Sequence, residues 1–196
     1  MHVIGGGLRL NLDTGLITEA RLAASPNCDA RPATASVDAV VVHCISLPPY
    51  QFGGDDIEAF FCNALDVSRH PYFREIQELK VSTHFLIRRG GELMQFVATN
   101  MRAWHAGASE LRGRCDVNDF SIGIELEGTD DQPFEDAQYQ TLIELTRVLT
   151  AAYPGIVAAN LVGHCDIAPG RKTDPGAHFD WNRYRRESLA GWRVGP

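Results

Sequence analysis

The stretch Ser121-Ile122-Gly123-Ile124-Glu125-Leu126-Glu127 alternates between large aliphatic side chains and Gly or Glu. A period of two is typical of a β-strand, in which successive side chains point to opposite faces of the sheet. The three aliphatic side chains would share one face, and Gly123, Glu125 and Glu127 the other. Carboxylates in so apolar a strand are costly to bury unless they pair, bind a metal or act in catalysis. The alternation alone leaves open which of the two glutamates has such a role.

Several other segments have patterns typical of regular structure. Apolar runs predict strands over 40–43, 81–88, 92–98 and 161–164, and Gly90-Gly91 predicts that the second and third form a hairpin. Leucines at helical spacing predict a helix over 137–152, which Pro154-Gly155 ends. Asp55-Asp56 offers the N-cap of a shorter helix through about residue 65, and a last helical patch is predicted near 182–189.

Length and composition favour one globular domain. The chain has 196 residues, of which 44% are hydrophobic and 22% charged. Residues 1–36 are rich in Gly, Ala, Ser, Pro and Asn, which predicts a short strand over 15–17 followed by an extended arm on the surface. We therefore expect a single domain over 1–196, with an N-terminal arm over 1–36 and regular structure from Val37 onward.

Charge and cysteine content exclude several classes of partner. The formal charge of −7 and the pI near 5.4 come with scattered Arg and Lys, so a nucleic-acid partner is not expected. The first residues lack the pattern of a signal peptide and no segment reaches membrane-spanning length, which predicts a cytoplasmic protein without a membrane partner. The five cysteines include no Cys-x-x-Cys pair, so neither disulfides nor a structural zinc knuckle is expected. No obligate protein partner is predicted.

A second stretch indicates a metal site: Gly163-His164-Cys165-Asp166-Ile167-Ala168-Pro169-Gly170-Arg171-Lys172-Thr173-Asp174-Pro175. It places an imidazole, an ammonium and a carboxylate in a loop restrained by Pro and Gly. Far upstream, an apolar run ends in His43, where a buried strand would emerge from a sheet. Two histidines and one carboxylate make three ligands. Because catalytic zinc typically has three protein ligands and one open position, the pattern favours a catalytic metal site over a structural one.

The chain has seven histidines, so each candidate is weighed against a structural role. His178 is close enough in sequence to the proposed carboxylate ligand to compete with His164, although we favour His164. His84 lies in a predicted strand, where core packing is the simpler interpretation. His105 follows Trp104 and precedes two small residues, which suits a substrate-binding wall as well as it suits packing.

Six ordered blocks of the chain are informative together: Val41-Val42-His43, Val81-Ser82-x-His84-Phe85-Leu86-Ile87, Ala103-Trp104-His105-Ala106-Gly107, Asn118-Asp119-Phe120-Ser121-Ile122-Gly123-Ile124-Glu125-Leu126-Glu127-Gly128, Gly163-His164-Cys165-Asp166-Ile167-Ala168-Pro169 and Arg171-Lys172-Thr173-Asp174-Pro175-Gly176. Six blocks in the same order are far more specific than any one of them. They closely resemble the type 2 N-acetylmuramoyl-L-alanine amidases, and among them the enzymes that act on anhydromuropeptides in bacterial peptidoglycan recycling. The resemblance covers roughly residues 15–185.

This resemblance implies an α/β (α+β) fold in which a mixed central sheet is flanked by helices, shared with the peptidoglycan recognition proteins. It also implies a catalytic core over about 37–185. Glu125 would be the general base, in preference to Glu127, and Lys172 would stabilise the transition state. The substrate would be a muropeptide, cleaved in the cytoplasm between the lactyl group of (1,6-anhydro-)N-acetylmuramic acid and L-alanine. One Zn2+ per chain is expected, with three ligands: His43, His164 and Asp174.

Departures from the family pattern fall around the expected substrate site. Cys44 follows the first expected zinc ligand where the family carries Asn. Lys80 stands where Arg is expected, which keeps the charge but gives up bidentate geometry. Asp116-Val117 stands where the family often has Arg-Cys, with Arg114 just before it. The residues predicted to contact substrate are Trp104, Lys80, His105 and Arg114.

Two other classes of function compete with a zinc amidase. Two histidines and a carboxylate also bind iron in oxygenases, but those enzymes typically use His-x-Asp in an all-β pattern that this sequence lacks. A non-catalytic muropeptide-binding module of the same fold is the second class. The presence of all three expected ligands together with Glu125 and Lys172 argues against it. The preference for anhydro over ordinary muramyl substrates, the tolerated peptide length and the oligomeric state stay open.

Overall fold

The structure, a computed structural model, describes residues 2–5 and 7–190. The strands in those residues are β1 (His2–Gly5), β2 (Leu8–Asn11), β3 (Leu16–Ile17), β4 (Arg21–Leu22), β5 (Cys28–Ala30), β6 (Ala39–Ile45), β7 (Phe85–Ile87), β8 (Leu93–Gln95), β9 (Met101–Ala103), β10 (Glu110–Leu111), β11 (Arg114–Cys115), β12 (Ser121–Glu127) and β13 (Leu161–Gly163). The helices are α1 (Asp56–Phe61), α2 (Phe73–Ile76), α3 (Asp136–Ala152), α4 (His164–Ile167) and α5 (Trp181–Ser188), with 3-10 turns at Val117–Asp119 and Ala158–Asn160.

A six-stranded sheet has the order β13-β6-β12-β7-β8-β4. β13, β6, β12 and β7 run parallel to one another, β8 is antiparallel to β7, and β4 is parallel to β8. Helix α3 packs against this sheet through the main hydrophobic cluster. The prediction of an α/β fold with a mixed central sheet and flanking helices is therefore confirmed.

β12 lies inside this sheet and is buried on both faces. Its bounds are those that the alternation predicts. The face formed by its three aliphatic side chains packs in the same cluster as Leu142 and Leu145 of α3. Burying a side chain of this size contributes roughly 1.5–3 kcal/mol, so these contacts fix which face of the strand meets the helix. Gly123, Glu125 and Glu127 consequently face the other side of the sheet.

Most of the other predicted elements are present. β6 contains the strand predicted over 40–43, and β7 and β8 form the predicted antiparallel hairpin. Gly91 in its connection has a φ of 86°, a conformation that favours glycine. The helix predicted over 137–152 is α3, and the patch near 182–189 is α5. The helix expected through residue 65 ends earlier, and Asn63 beyond its end has a φ of 57°.

The N-terminal segment is more regular than the predicted extended arm. β1, β2 and β3 form an antiparallel sheet, and Leu8, Leu10 and Ile17 belong to the cluster that contains α3. β4 pairs with β8 at the edge of the central sheet, and β5 pairs with β9. These strands are short and follow one another through tight turns, so their periodicity in the sequence is weak. None of the helices in the described residues has the length and hydropathy that a membrane span requires.

The strand order brings the carboxyl ends of three parallel strands together. β6 lies between β13 and β12, with Val42 opposite Gly163 and His43 opposite Glu125. Ligand sites in open α/β sheets typically lie beyond the carboxyl ends of the strands. A ligand site is therefore expected among the residues at and just after these ends.

Candidate metal centre and active-site cleft

Three possible ligand atoms from distant parts of the chain meet at this edge of the sheet. His43 Nδ1 lies 3.0 Å from His164 Nδ1, and Asp174 Oδ2 lies 3.1 Å from each of them. Both imidazoles are buried and the carboxylate is partly buried. A tetrahedral zinc ion with bonds of about 2.0–2.1 Å holds its ligands about 3.3 Å apart, close to these spacings. The three atoms form a triangle that fits one face of such a coordination sphere.

Backbone contacts bring Asp174 to His164. His164 begins α4 directly after β13, so its ring lies at the end of the sheet. The backbone N–H of Cys165 donates to the carbonyl oxygen of Asp174 at 2.9 Å, which closes the loop between them. A Cβ on Gly163 would lie 2.8 Å from Cδ of Pro175, closer than such atoms approach. The loop therefore packs against β13 because residue 163 has no side chain.

The hydrogen-bond partner of His164 also favours a cation. His164 Nε2 lies 3.1 Å from the carbonyl oxygen of Ala106. Because a carbonyl only accepts, Nε2 carries a proton, so the neutral tautomer that fits this contact has its lone pair on Nδ1. That lone pair faces the carboxylate of Asp174. The Nδ1 lone pair and the carboxylate oxygen repel each other at this distance unless a cation binds both. The two groups therefore fit a metal ion as ligands.

The pKa values of His43 and Asp174 agree with a neutral imidazole and an ionised carboxylate in a metal-binding set. Burial lowers the pKa of His43 to about 4, so its ring is neutral at pH 7. Burial alone would raise the pKa of Asp174, but the adjacent rings of His164 and His43 hold it below its usual range. Metal ligands need these protonation states, because protons compete with the metal for the same lone pairs.

Glu125 lies beside the three candidate ligands. It pairs with His43 across the parallel strands, and its side chain is buried. Its Oε2 is buried without a hydrogen-bond partner among the described residues. Burial and then the charge of Asp174 raise the pKa of Glu125 well above its usual range, whereas Lys172 acts in the opposite direction. A carboxylate with a free oxygen and a raised pKa is suited to accept and return a proton.

A cleft of about 360 Å³ opens over these groups. One end is apolar and the other contains the titratable groups, a combination typical of ligand-binding sites. The apolar end includes Leu47, Phe60, Phe61, Tyr72, Ile76 and Leu79. The polar end is formed by His43, His105, Glu125, His164, Lys172 and Asp174.

A comparison with known families gives the class of this cleft. The N-acetylmuramoyl-L-alanine amidase family (Amidase_2) matches residues 33–177. The chain belongs to this family. It is accordingly a hydrolase of the amide class, and His43, Glu125, His164, Lys172 and Asp174 all lie within the matched residues.

Individual relatives are similar to this amidase over most of its length. The 1,6-anhydro-N-acetylmuramyl-L-alanine amidase AmpD of Haemophilus influenzae is 52% identical over 174 residues, which is 89% of this chain and 95% of that protein. The crystal structure of a Se-Met AmpD derivative is 54% identical with a TM-score of 0.86, covering 90% of this chain and 98% of that one. The amidase AmiD from E. coli, in complex with the substrate anhydro-N-acetylmuramic acid-L-Ala-D-gamma-Glu-L-Lys, is 31% identical with a TM-score of 0.58, covering 80% of this chain and 60% of that one.

The structure places the residues predicted to contact substrate in three locations. Trp104 and Lys80 line a hollow of about 200 Å³ that adjoins the cleft and shares Lys172 with it. His105 lines both, but its two ring nitrogens lie at hydrogen-bonding distance from protein atoms. Arg114 is not among the described residues that line either space. It pairs with Asp38 at 2.6 Å, so its contact with substrate stays a prediction.

The structure also separates residues that the sequence left as alternatives. The cluster of candidate ligands in the described residues contains His164 and not His178. Glu127 accepts hydrogen bonds from Arg88 at 3.0 Å and from the backbone N–H of Gly53 at 2.7 Å, so it has a structural pairing that Glu125 lacks. Cys44, which departs from the family pattern, lines the cleft next to His43.

Sequence reasoning missed two residues that support the site. Arg171 donates to the carbonyl oxygens of Ala106 at 2.7 Å and Ala108 at 2.6 Å, so it holds the segment whose carbonyl binds His164. Asn118 accepts at Oδ1 from the backbone N–H groups of His105 and Ala106. Both residues lie in blocks that resemble the family, but neither has a pattern that indicates what it binds.

Proposed function

We propose that this amidase hydrolyses the amide between the lactyl group of 1,6-anhydro-N-acetylmuramic acid and the L-alanine of a stem peptide, in a zinc-dependent reaction. The observation that carries the proposal is the convergence of His43, His164 and Asp174 beside the unpartnered carboxylate oxygen of Glu125. The substrate is inferred from its relatives, which include 1,6-anhydro-N-acetylmuramyl-L-alanine amidases and an AmiD complex with an anhydromuramyl peptide. AmpD relatives match 88–89% of this chain.

His43, His164 and Asp174 would hold one Zn2+. When bound, zinc supplies Lewis acidity, which polarises a carbonyl and lowers the pKa of water from about 15.7 to about 7. Two neutral imidazoles and one carboxylate leave a net positive charge at the site, which favours the negative charge that develops on the amide oxygen. The chain's part is to keep these ligands available and fixed. Burial lowers the pKa of His43, the adjacent imidazoles lower that of Asp174, and the carbonyl oxygen of Ala106 orients His164.

Glu125 would transfer the proton. Its Oε2 accepts the proton of the attacking water while the water oxygen bonds to the carbonyl carbon, and then returns that proton to the nitrogen as the C–N bond breaks. Burial, followed by the charge of Asp174, raises the pKa of the Glu125 carboxyl group, which makes its carboxylate a stronger base than an exposed glutamate. A positioned acid or base of this kind contributes roughly 10²–10⁴ in rate.

Lys172 would stabilise the oxygen of the scissile carbonyl. It is exposed and lines both the cleft and the adjoining hollow, so its ammonium can reach a substrate lying between them. The apolar end of the cleft would bind the less polar surfaces of the muropeptide, and Trp104 and Lys80 would contact the part that lies in the hollow. Contacts from His105 and Arg114 to substrate are included in the proposal on the resemblance alone.

The compartment and domain organisation belong to the same proposal. Cleavage of anhydromuropeptides in the cytoplasm fits a chain with five free cysteines and with no described disulfide. We propose one domain over 1–196, with a catalytic core over about 37–185. A non-catalytic muropeptide-binding module of the same fold is disfavoured, because such a module has no need for an unpaired buried carboxylate.

The test is a cleavage assay with defined substrates. Purified protein is incubated with an anhydromuropeptide, and the release of the stem peptide is measured by mass spectrometry with and without a zinc chelator. We expect release that the chelator abolishes and that added Zn2+ restores. Parallel incubation with intact murein measures the preference for the anhydro form. Undiminished cleavage after the metal has been removed would refute zinc dependence, and no cleavage of any muramyl peptide would refute the activity.

A further inference from the structure

His105 has both ring nitrogens bound inside the protein. The side chain is 8% exposed. Its Nδ1 lies 2.9 Å from Nε2 of the candidate ligand His43, and its Nε2 lies 3.1 Å from Oγ of Ser121. The ring therefore connects the start of β12 with the far side of a ligand imidazole.

The direction of these hydrogen bonds follows from Ser121. Its Oγ lies 2.6 Å from the carbonyl oxygen of Val117, which can only accept, so the single hydroxyl proton points there. Ser121 Oγ consequently accepts from Nε2–H of His105. A neutral imidazole with its proton on Nε2 has a lone pair on Nδ1, which accepts from Nε2–H of His43. The Nδ1 lone pair of His43 then faces His164 and Asp174.

The neighbouring strand is shaped to hold the ring in this position. A Cβ on Gly123 would lie 2.5 Å from Cγ and 2.7 Å from Nδ1 of His105, closer than such atoms approach. Gly123 is therefore required for the ring to lie against β12. No turn or positive φ explains this glycine, which lies in the middle of a fully buried strand.

The next residue along the chain orients the second ligand imidazole. The carbonyl oxygen of Ala106 accepts from Nε2 of His164 at 3.1 Å. The backbone N–H groups of His105 and Ala106 both donate to Oδ1 of Asn118, at 3.1 and 2.8 Å, which fixes the segment. Two consecutive residues thus contact both histidines of the candidate metal site on the sides that face away from it.

We propose that His105 is a positioning residue that holds His43 in the Nε2–H tautomer, through a directed chain from Val117 and Ser121, so that Nδ1 of His43 is available to a metal ion. The proposal rests on the proposed zinc-dependent function. It assigns Ser121 the role of fixing the direction of the chain and Gly123 the role of making room for the ring. Loss of such an outer hydrogen bond typically weakens metal binding by 10–100-fold.

The decisive variants are His105→Asn and His105→Leu, which are nearly equal in size and shape. Asn can place an acceptor oxygen near the position of Nδ1, whereas Leu cannot. Zinc affinity is measured by competition with a chromophoric chelator, together with kcat and KM on an anhydromuropeptide. We expect His105→Leu to bind zinc about 10–100-fold more weakly and to lose kcat, whereas loss of a substrate contact alone would raise KM and leave zinc affinity unchanged. We expect His105→Asn to recover most of both losses.

Ser121→Ala tests the direction of the chain with a smaller change. It removes the acceptor of His105 Nε2–H, so we expect weaker zinc binding than in wild type. Ser188→Ala is the matched control, because Ser188 is equally buried, lies in α5 and has no hydrogen-bond partner for its Oγ in the described residues. Equal zinc affinities in the two alanine variants, or in the Asn and Leu variants, would overturn the proposal.

The tautomer of His43 separates this proposal from the proposed function. Long-range 1H–15N NMR of the metal-free protein, labelled on its histidines, shows which ring nitrogen of His43 carries a proton. Protonation at Nε2 alone supports the proposed direction of the hydrogen bonds, even if the enzyme needs no zinc for activity. Protonation at Nδ1, or at both nitrogens at pH 7, overturns it, even if the enzyme is a zinc amidase. The measurement uses the wild-type protein, so it does not depend on the folding of any variant.

Discussion

The unpaired oxygen of Glu125 gives a direct test of the proposed proton transfer. Glu125→Gln keeps the shape of the side chain but cannot accept a proton. We expect kcat on an anhydromuropeptide to fall by roughly 10²–10⁴, with zinc affinity close to that of wild type. Kinetics and a zinc competition titration on the same preparation check both halves of this expectation.

Asp174→Asn provides the contrast for this variant. Asp174 is a candidate ligand, so we expect its variant to lose zinc and turnover together. A Glu125→Gln variant with undiminished kcat would show that another group transfers the proton. If Glu125→Gln instead lost zinc as Asp174→Asn does, Glu125 would belong among the metal ligands.

The two lysines of the chain, Lys172 and Lys80, both line the hollow beside the cleft and have different predicted roles. We expect Lys172→Met to lower kcat by roughly 10²–10³, because an ammonium near the developing oxyanion acts mainly in the transition state. We expect Lys80→Met to raise KM with kcat nearly unchanged, because it would bind substrate and transition state alike. Steady-state kinetics distinguish the two. The same kinetic effect from both substitutions would contradict the division of roles.

The two glutamates of β12 show what the sequence could and could not predict for single residues. Alternation correctly placed both on the same face of the strand, but their different roles depend on partners far along the chain. Glu127 is bound by Arg88, which lies 39 residues away, and by the backbone of Gly53. Only family resemblance distinguished Glu125 beforehand, because the absence of a partner at Oε2 has no sequence pattern.

Individual elements were predictable where side-chain periodicity was strong. β12 has the predicted bounds, and α3 starts within one residue of its predicted start, because both have one continuous apolar face. The helical turn α4 was missed, since it has four residues and follows a strand without a break. The strand predicted over 15–17 is present as β3, but the other N-terminal strands were missed for a similar reason. They are two to four residues long, and pairing with distant strands stabilises them more than local propensity does.

The junction of β13 and α4 depends on the absence of a side chain at Gly163. In Gly163→Ala, the added Cβ would press on Pro175, so the loop that holds Asp174 must move away from His164. We expect a loss of about 1–3 kcal/mol in the free energy of unfolding, together with weaker zinc binding. Urea denaturation of the metal-free protein and a zinc titration measure the two effects.

Gly90→Ala is the matched control for this substitution. Gly90 lies in the β7–β8 hairpin, nothing lies within 4 Å of its ideal Cβ position, and its φ is not in the left-handed region. We expect its free energy of unfolding to change by no more than about 0.5 kcal/mol, with unchanged zinc affinity. If Gly163→Ala also behaved in this way, close packing of the loop against β13 would not be what positions Asp174.

At the scale of the whole molecule, the site exists because of strand order. His43 is separated from His164 by 121 residues and from Asp174 by 131, and parallel pairing of β6 with β13 and β12 brings all of them to one edge. Composition and periodicity predict the strands but not which strands are neighbours. The residue types had indicated two histidines and a carboxylate as ligands, and the resemblance implied the same set. The contacts of His105 required the register of β12 against β6, which no local pattern contains.

Three buried histidines, His43, His84 and His105, make the stability of the folded protein depend on pH. Burial lowers the pKa of His84 to about 3 and that of His43 to about 4, and it lowers the pKa of His105 as well. The unfolded chain takes up these protons near the ordinary pKa of 6.5. Unfolding therefore becomes easier as pH falls below 6.5. Glu125, whose pKa is raised in the folded state, acts with the opposite sign, since its contribution is lost as pH rises above its ordinary 4.5.

His84 isolates this effect, because it lies outside the candidate ligand set and is fully buried. At pH 5, which is 1.5 units below the ordinary pKa of histidine, proton uptake by His84 in the unfolded chain lowers the free energy of unfolding by about 2 kcal/mol relative to neutral pH. Between pH 7 and pH 5, we therefore expect the free energy of unfolding of His84→Gln to fall by about 2 kcal/mol less than that of wild type. Urea denaturation without metal measures this difference. His178→Gln, at an exposed position, should follow wild type. The same pH dependence in all three proteins would mean that His84 can take up its proton inside the fold, and that burial is not what keeps this imidazole neutral.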